Sequence, residues 1–152
     1  MRILILLFVT ASLTALSCLR EPVDQAEVDR AIIQDYISAN NLNAIEDDSG
    51  LFYVIDVPGG EEKPGPTDSV IIVYRGYLTD GTVFDRTPEG TLSRFKLNQL
   101  IGGWRIGIPK FGRGGKGQLL VPSALGYGPQ GVPGVIPRNA VILFDIELED
   151  FN

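Results

Sequence analysis

Histidine is absent from the 152 residues, and cysteine, methionine and tryptophan occur once each. Without histidine, no side chain has an ordinary pKa near neutrality, so general acid–base chemistry and imidazole metal ligation both lose their usual carrier. A single cysteine excludes a disulfide within the chain. Positive charge is scarce: 13 Lys and Arg stand against 19 Asp and Glu, for a net charge of −6. Phosphate recognition draws on a Lys/Arg surplus, so no nucleic-acid partner is expected, nor electrostatic adhesion to anionic lipid. The acidity reads as solubility. Internal repeats and low-complexity tracts are missing. The glycines at 112, 114, 115 and 117 lack the Lys-Ser/Thr ending of a phosphate cradle. Neither a cofactor nor a metal is expected.

What is present is a 44% hydrophobic chain with 18 Gly and 10 Pro, which fits one globular domain rich in turns and strands. The first residues stand apart. Met1-Arg2 precedes an apolar run, Ile3 to Leu16, broken only by Thr and Ser. Such a run reads as an export signal over residues 1–17, too short to span a bilayer. Losing Arg2, the only charge before Cys18, takes the net charge from −6 to −7. Cys18 follows the run at once, a placement similar to a bacterial lipobox, in which the thiol is acylated and the preceding peptide removed. Ala15 holds the place where Leu is preferred, and Leu16 comes one residue late. Two readings follow: lipidation of Cys18, which gives a membrane anchor, or an ordinary cut that leaves a free N-terminal cysteine.

Residues 18–23 read as a tether. Residues 24–48 read as a helix and linker. Asp24 caps with Glu27 three positions on, Val28, Ile32, Ile33, Tyr36 and Ile37 recur at helical spacing, and Asn40-Asn41 is a stop. The predicted helix, Gln25 to Ala39, is too short for a coiled coil and is expected to pack beside the main domain as a strut. Residues 49–152 alternate strand and turn signals. Strands are predicted over 51–57, 69–78, 83–85, 93–97, 117–122 and 140–149. A hairpin is expected at Asp80-Gly81, a surface loop over 87–90, and a short helix over 98–108. This pattern predicts an α+β fold: an antiparallel sheet of about five strands against a short helix, with an extra N-terminal helix.

Large rings recur along these strands: Tyr74 and Tyr77, Phe84, Phe95, Trp104, Tyr127 and Phe144. Taken singly, Tyr74, Trp104 and Phe144 would be core residues, and Asp85 a turn-capping carboxylate. Tyr127, flanked by glycines on a loop, reads as a contact residue. Rings in this number, with nothing to move a proton, point to binding an apolar ligand rather than cutting a bond.

From about Gly50 to Phe151 the chain resembles an FKBP-type peptidyl-prolyl cis-trans isomerase, in the manner of a small bacterial lipoprotein member. The resemblance rests on six segments in order: Val73-Tyr74-Arg75-Gly76-Tyr77-Leu78, Asp80-Gly81-Thr82-Val83-Phe84-Asp85, Leu100-Ile101-Gly102-Gly103-Trp104, Ala124-Leu125-Gly126-Tyr127-Gly128, Val135-Ile136-Pro137 and Leu143-Phe144-Asp145-Ile146-Glu147-Leu148. It implies that Tyr74, Asp85, Tyr127 and Phe144 carry catalysis, and that Phe84, Phe95, Leu100, Ile101, Trp104 and Ile136 bind substrate. Trp104 would be the floor under a proline ring. The Tyr127 hydroxyl and the Ile101 N–H would bond substrate carbonyls, and Asp85 would lie near the twisting amide. Leu125 replaces a frequent aromatic, and Val132 a histidine found in some members. The implied activity is isomerisation of X–Pro bonds in exported proteins, with proline-containing segments as partners, macrolide-type inhibitors as ligands, and a monomer in the cell envelope. A non-catalytic peptide-binding or chaperone module of the same fold is the alternative, and a structural lipoprotein, which would lack an apolar pocket, a third reading.

Overall fold

A computed structural model describes residues 23–152; Cys18, the export signal and most of the tether lie outside the described residues. Two α-helices, α1 (Gln25–Asn40) and α2 (Gly102–Gly107), accompany seven strands. These are β1 (Ile45–Glu46), β2 (Phe52–Val57), β3 (Ser69–Leu78), β4 (Val83–Arg86), β5 (Ser93–Lys96), β6 (Gly115–Val121) and β7 (Ile142–Phe151). They form one antiparallel sheet in the order β1-β2-β6-β7-β3-β4, with β5 also paired to β3. β4 and β5 follow one another along the same flank of β3, opposite residues 75–77 and 69–72. Setting β1 aside, the sheet has five positions, in line with the expected count. β1 itself escaped the sequence reading, because two residues cannot display an alternation.

Alternation along β3 and β7 places apolar side chains on both sheet faces, and each face has its own cover. Val70, Ile72, Ile142, Phe144, Ile146 and Leu148 point to the face packed by α2. On the opposite face Phe52, Val54, Tyr77, Leu120 and Leu143 meet Ile33, Tyr36 and Ile37 of α1. Beyond the helix this outer face turns polar: Arg75 pairs with Asp145 at 2.7 Å, and Lys116 with Glu147.

α1 begins where Asp24 accepts a hydrogen bond from the Ala26 N–H at 3.0 Å and ends at Asn41 in the left-handed region. Its buried face differs from the predicted apolar stripe. Val28 and Ile32 remain 36% and 37% exposed, whereas Asp29 is 1% exposed beside fully buried Ile33. The predicted helix at 98–108 resolves into a 3₁₀ turn over Leu97–Gln99, α2, and a second 3₁₀ turn over Ile108–Lys110. Its glycines permit close contact with the sheet. A Cβ on Gly103 would stand 2.5 Å from Val121 Cγ1, and one on Gly107 2.6 Å from Leu119 Cδ2. With both absent, α2 lies directly on β6.

Candidate functional site

The strand β3, its neighbours and α2 enclose a recess of about 170 Å³ lined by Tyr74, Phe84, Asp85, Phe95, Leu100, Ile101, Trp104, Tyr127 and Phe144. Residues from β3, β4, β5, the turn before α2, α2, the 123–139 loop and β7 thus converge. Trp104 is central and buried. Its ring centroid lies 5.0 Å from Tyr74, 5.1 Å from Phe144 and 5.9 Å from Phe95, with interplanar angles of 81°, 80° and 78°. Phe84 meets Phe144 at 5.7 Å and 90°. Each edge-to-face pair contributes about 0.5–1.5 kcal/mol beyond area burial, so the walls hold one another in place without a ligand. The Trp104 indole N–H has no acceptor among the described residues.

The polar groups are few. The Tyr74 hydroxyl donates to Asp85 Oδ2 at 2.8 Å, and Asp85 Oδ1 accepts the Arg86 N–H at 2.9 Å. Burial first, and the adjoining Asp85 carboxylate second, push the Tyr74 phenol far above its ordinary value. The same two causes raise the Tyr127 phenol. Both stay protonated across the physiological range and remain donors. Ile101 caps α2, its carbonyl accepting the N–H groups of Trp104 and Arg105 at 3.1 Å each, while no described backbone group accepts its own N–H. The recess therefore offers a phenol and a backbone amide as donors, a carboxylate, and apolar rings.

Nine of the predicted residues line this recess. Ile136 does not. It is 5% exposed and packs into the core on the α2 side, within a loop closed by mutual Val132–Ile136 backbone bonds of 2.8 Å each. Cys18 lies outside the described residues. Thr87, read as part of a surface loop, is in fact buried. Its hydroxyl accepts the Tyr74 N–H at 3.2 Å and pairs with Ser93 at 3.0 Å, while its N–H donates to the Tyr74 carbonyl at 3.0 Å. It fixes the backbone under one wall of the recess. A threonine before Pro88 gives no sequence signal for that role, since Tyr74 is on another strand and Ser93 lies across the loop. A larger recess, about 270 Å³, opens between α1 and residues 122–125; it contains none of these rings.

An antiparallel sheet packed on a short helix, with a ring-lined recess between them, is the α+β architecture that the six family-like segments imply. Residues 60–149 match the FKBP-type peptidyl-prolyl cis-trans isomerase family, and the chain belongs to it. The chain is 42% identical over 118 residues to the FKBP-type peptidyl-prolyl cis-trans isomerase FkpA of Aeromonas hydrophila, covering 76% of this chain and 44% of that protein. It is 37% identical over 127 residues to the outer membrane protein MIP of Legionella longbeachae, covering 82% and 54%. The chain thus spans about half or less of these relatives' length. Among solved structures, a peptidyl-prolyl cis-trans isomerase from Pseudomonas syringae pv. tomato superposes with a TM-score of 0.74 at 25% identity, covering 86% of this chain and 99% of that one.

Proposed function

We propose that the chain is a peptidyl-prolyl cis-trans isomerase whose domain over residues 49–152 accelerates X–Pro rotation in exported proteins. The observation that carries this reading is an apolar recess in which Tyr74, Phe84, Phe95, Tyr127 and Phe144 gather with Trp104 beside Asp85 and Ile101. Rotation about an X–Pro bond faces a barrier of about 18–20 kcal/mol, because resonance holds the amide planar. In the perpendicular state that resonance is lost and the carbonyl becomes less polar. Water stabilises the planar amide more than the twisted one, so an apolar site lowers the difference between them. The prolyl ring rests on Trp104 between Tyr74, Phe84, Phe95 and Phe144, with Leu100 and Ile101 at the rim. The Ile101 N–H and the Tyr127 hydroxyl hold carbonyls of the substrate backbone. Asp85, fixed by Tyr74, faces the rotating amide. No nucleophile or proton transfer enters this scheme.

The export signal at 1–17, the cysteine at 18 and the outer-membrane name of the Legionella relative support placement in a bacterial cell envelope, with Cys18 as the lipid attachment point. Slow X–Pro steps limit folding over tens of seconds, so the clients are proline-containing segments of unfolded exported proteins, met by a monomer. Macrolide-type inhibitors fit the same recess.

A coupled assay on a Xaa-Pro peptide tests the activity. Wild-type turnover should exceed the uncatalysed rate, and Asp85→Val and Phe144→Tyr should each lower kcat/KM by about tenfold or more, the scale expected when a positioned group in a dry site is lost or displaced. Turnover equal to background would assign the fold to a peptide-binding module instead. Mass analysis of the mature N-terminus tests the anchor: acyl chains on Cys18 are expected, and an unmodified Cys18 would exclude them.

A further inference from the structure

We propose that Asp29 is a positioning residue for Tyr127, so that the N-terminal helix sets the geometry of the recess from outside the residues that match the family. The inference rests on the isomerase reading of the recess and extends it to a residue in α1. Asp29 is 1% exposed and Ser123 2%. The Ser123 backbone N–H and hydroxyl both donate to Asp29 Oδ2, at 2.7 and 2.6 Å, and the Gln25 side-chain amide donates to Asp29 Oδ1 at 2.7 Å. A buried carboxylate is costly unless its oxygens are satisfied, and here neutral donors satisfy both of them. The helix accepts this burial while leaving Val28 and Ile32 more than a third exposed. Ile33, one turn on, is fully buried on the same face, so the carboxylate–Ser123 contact and Ile33 together set how α1 is rotated against the sheet.

The fixed serine then holds the loop. Its carbonyl accepts the N–H groups of Gly126 and Gly128, at 3.0 and 2.9 Å. Those residues flank Tyr127 on either side. The Tyr127 and Gly128 carbonyls in turn accept from Gly131 and Asn139, at 3.1 and 2.9 Å. One short relay thus runs from the carboxylate through Ser123 to the backbone on both sides of the phenol. Leu125, between the serine and the tyrosine, packs over Gly102 at the start of α2; a Cβ there would stand 3.2 Å from Leu125 Cδ2. Without Asp29, the buried Ser123 N–H loses its acceptor and the turn loses its fixed end.

The test is a double-mutant cycle in the peptide assay, run on the full chain at a temperature where thermal melts show every variant folded. Asp29→Ala should lower kcat/KM about tenfold, mainly through KM. In a Tyr127→Ala background the same change should cost less than about twofold, because the residue it positions is gone. Asp29→Asn, which keeps an oxygen facing Ser123, should retain activity within about threefold of wild type. An equal loss in both backgrounds, or no loss for Asp29→Ala, would overturn the proposal. If Asp29→Ala does not fold, Ser123→Ala removes the hydroxyl half of the contact and must show the same dependence on Tyr127. Amide hydrogen exchange over residues 123–139 separates this proposal from the isomerase reading. Faster exchange in Asp29→Ala supports the loop clamp even if wild-type turnover equals background, and unchanged exchange rejects it even if turnover is high.

Discussion

Gly76 lies beneath two of the rings that wall the recess. A Cβ at this position would stand 2.7 Å from both Phe144 Cε1 and Phe84 Cε2, closer than carbon atoms tolerate. The residue is thus fixed by what passes over it. Gly76→Ala should destabilise the fold by about 1–3 kcal/mol, the usual cost of forcing one methyl group into a packed site. It should also reduce turnover in the folded fraction, since both displaced rings are recess walls; thermal melts and the peptide assay read the two effects separately. Sequence alone shows Gly76 as one more member of an inward-facing row. Likewise, alternation marks Tyr74 and Phe144 as core, which they also are. That the same rings form a recess became legible only through the order of the six family-like segments, because no local pattern distinguishes a ring packed on another ring from one packed beside a cavity. Asp29 and Thr87 left no such trace: the contacts that bury them, Ser123 for Asp29 and Tyr74 for Thr87, come from other elements, and a sequence pattern reports neighbours along the chain.

At the scale of elements, α2 shows two physical rules in opposition. Glycine costs a helix about 1 kcal/mol relative to alanine, so Gly103→Ala should favour the isolated helix. Against this, the added Cβ meets Val121 Cγ1 at 2.5 Å and Cγ2 at 2.8 Å, and Val121 is itself a fully buried core residue. Overpacking of that severity costs about 1–3 kcal/mol and should prevail. Gly103→Ala is therefore expected to lower Tm despite its better helix propensity, and an unchanged or higher Tm would show that α2 can retreat from β6. Such contests explain which elements could be read in advance. The predicted bounds of β3 match Ser69–Leu78, although its burial alternates cleanly only over Ser69–Val73 and adjoining Gly76 and Tyr77 are both buried. β7 starts two residues later than its apolar pattern, because Ala140 and Val141 continue the alternation without pairing. β1 exists only because β2 offers Phe52 and Tyr53 as partners, which is a tertiary fact.

At the scale of the whole molecule, the linker after α1 is tied to the 3₁₀ turn that follows α2. Lys110 donates to Asp47 at 2.8 Å, and Asp47 also accepts the Ser49 N–H at 2.7 Å. The Lys110 bond first and the Ser49 bonds second lower the Asp47 carboxyl from 3.8 to about 2. A carboxyl depressed in the folded state contributes stability above its unfolded value and loses it as the pH falls through the folded one. Lys110→Met should thus cost about 1 kcal/mol at neutral pH, after allowance for partial exposure. That difference should shrink to nothing between about pH 4 and pH 2 in urea unfolding series; a penalty independent of pH would assign the effect to packing of the lysine stem. The sheet as a whole has a further property. Its two ten-residue strands, β3 and β7, lie inside the ladder, while its margins are held by two-residue β1 and by four-residue β4 and β5. An unfolded client searching for a strand to join meets only brief stretches of unpaired backbone there, too short to template growth. If the proposed clients are met, the sheet margins give them little backbone on which to seed aggregation.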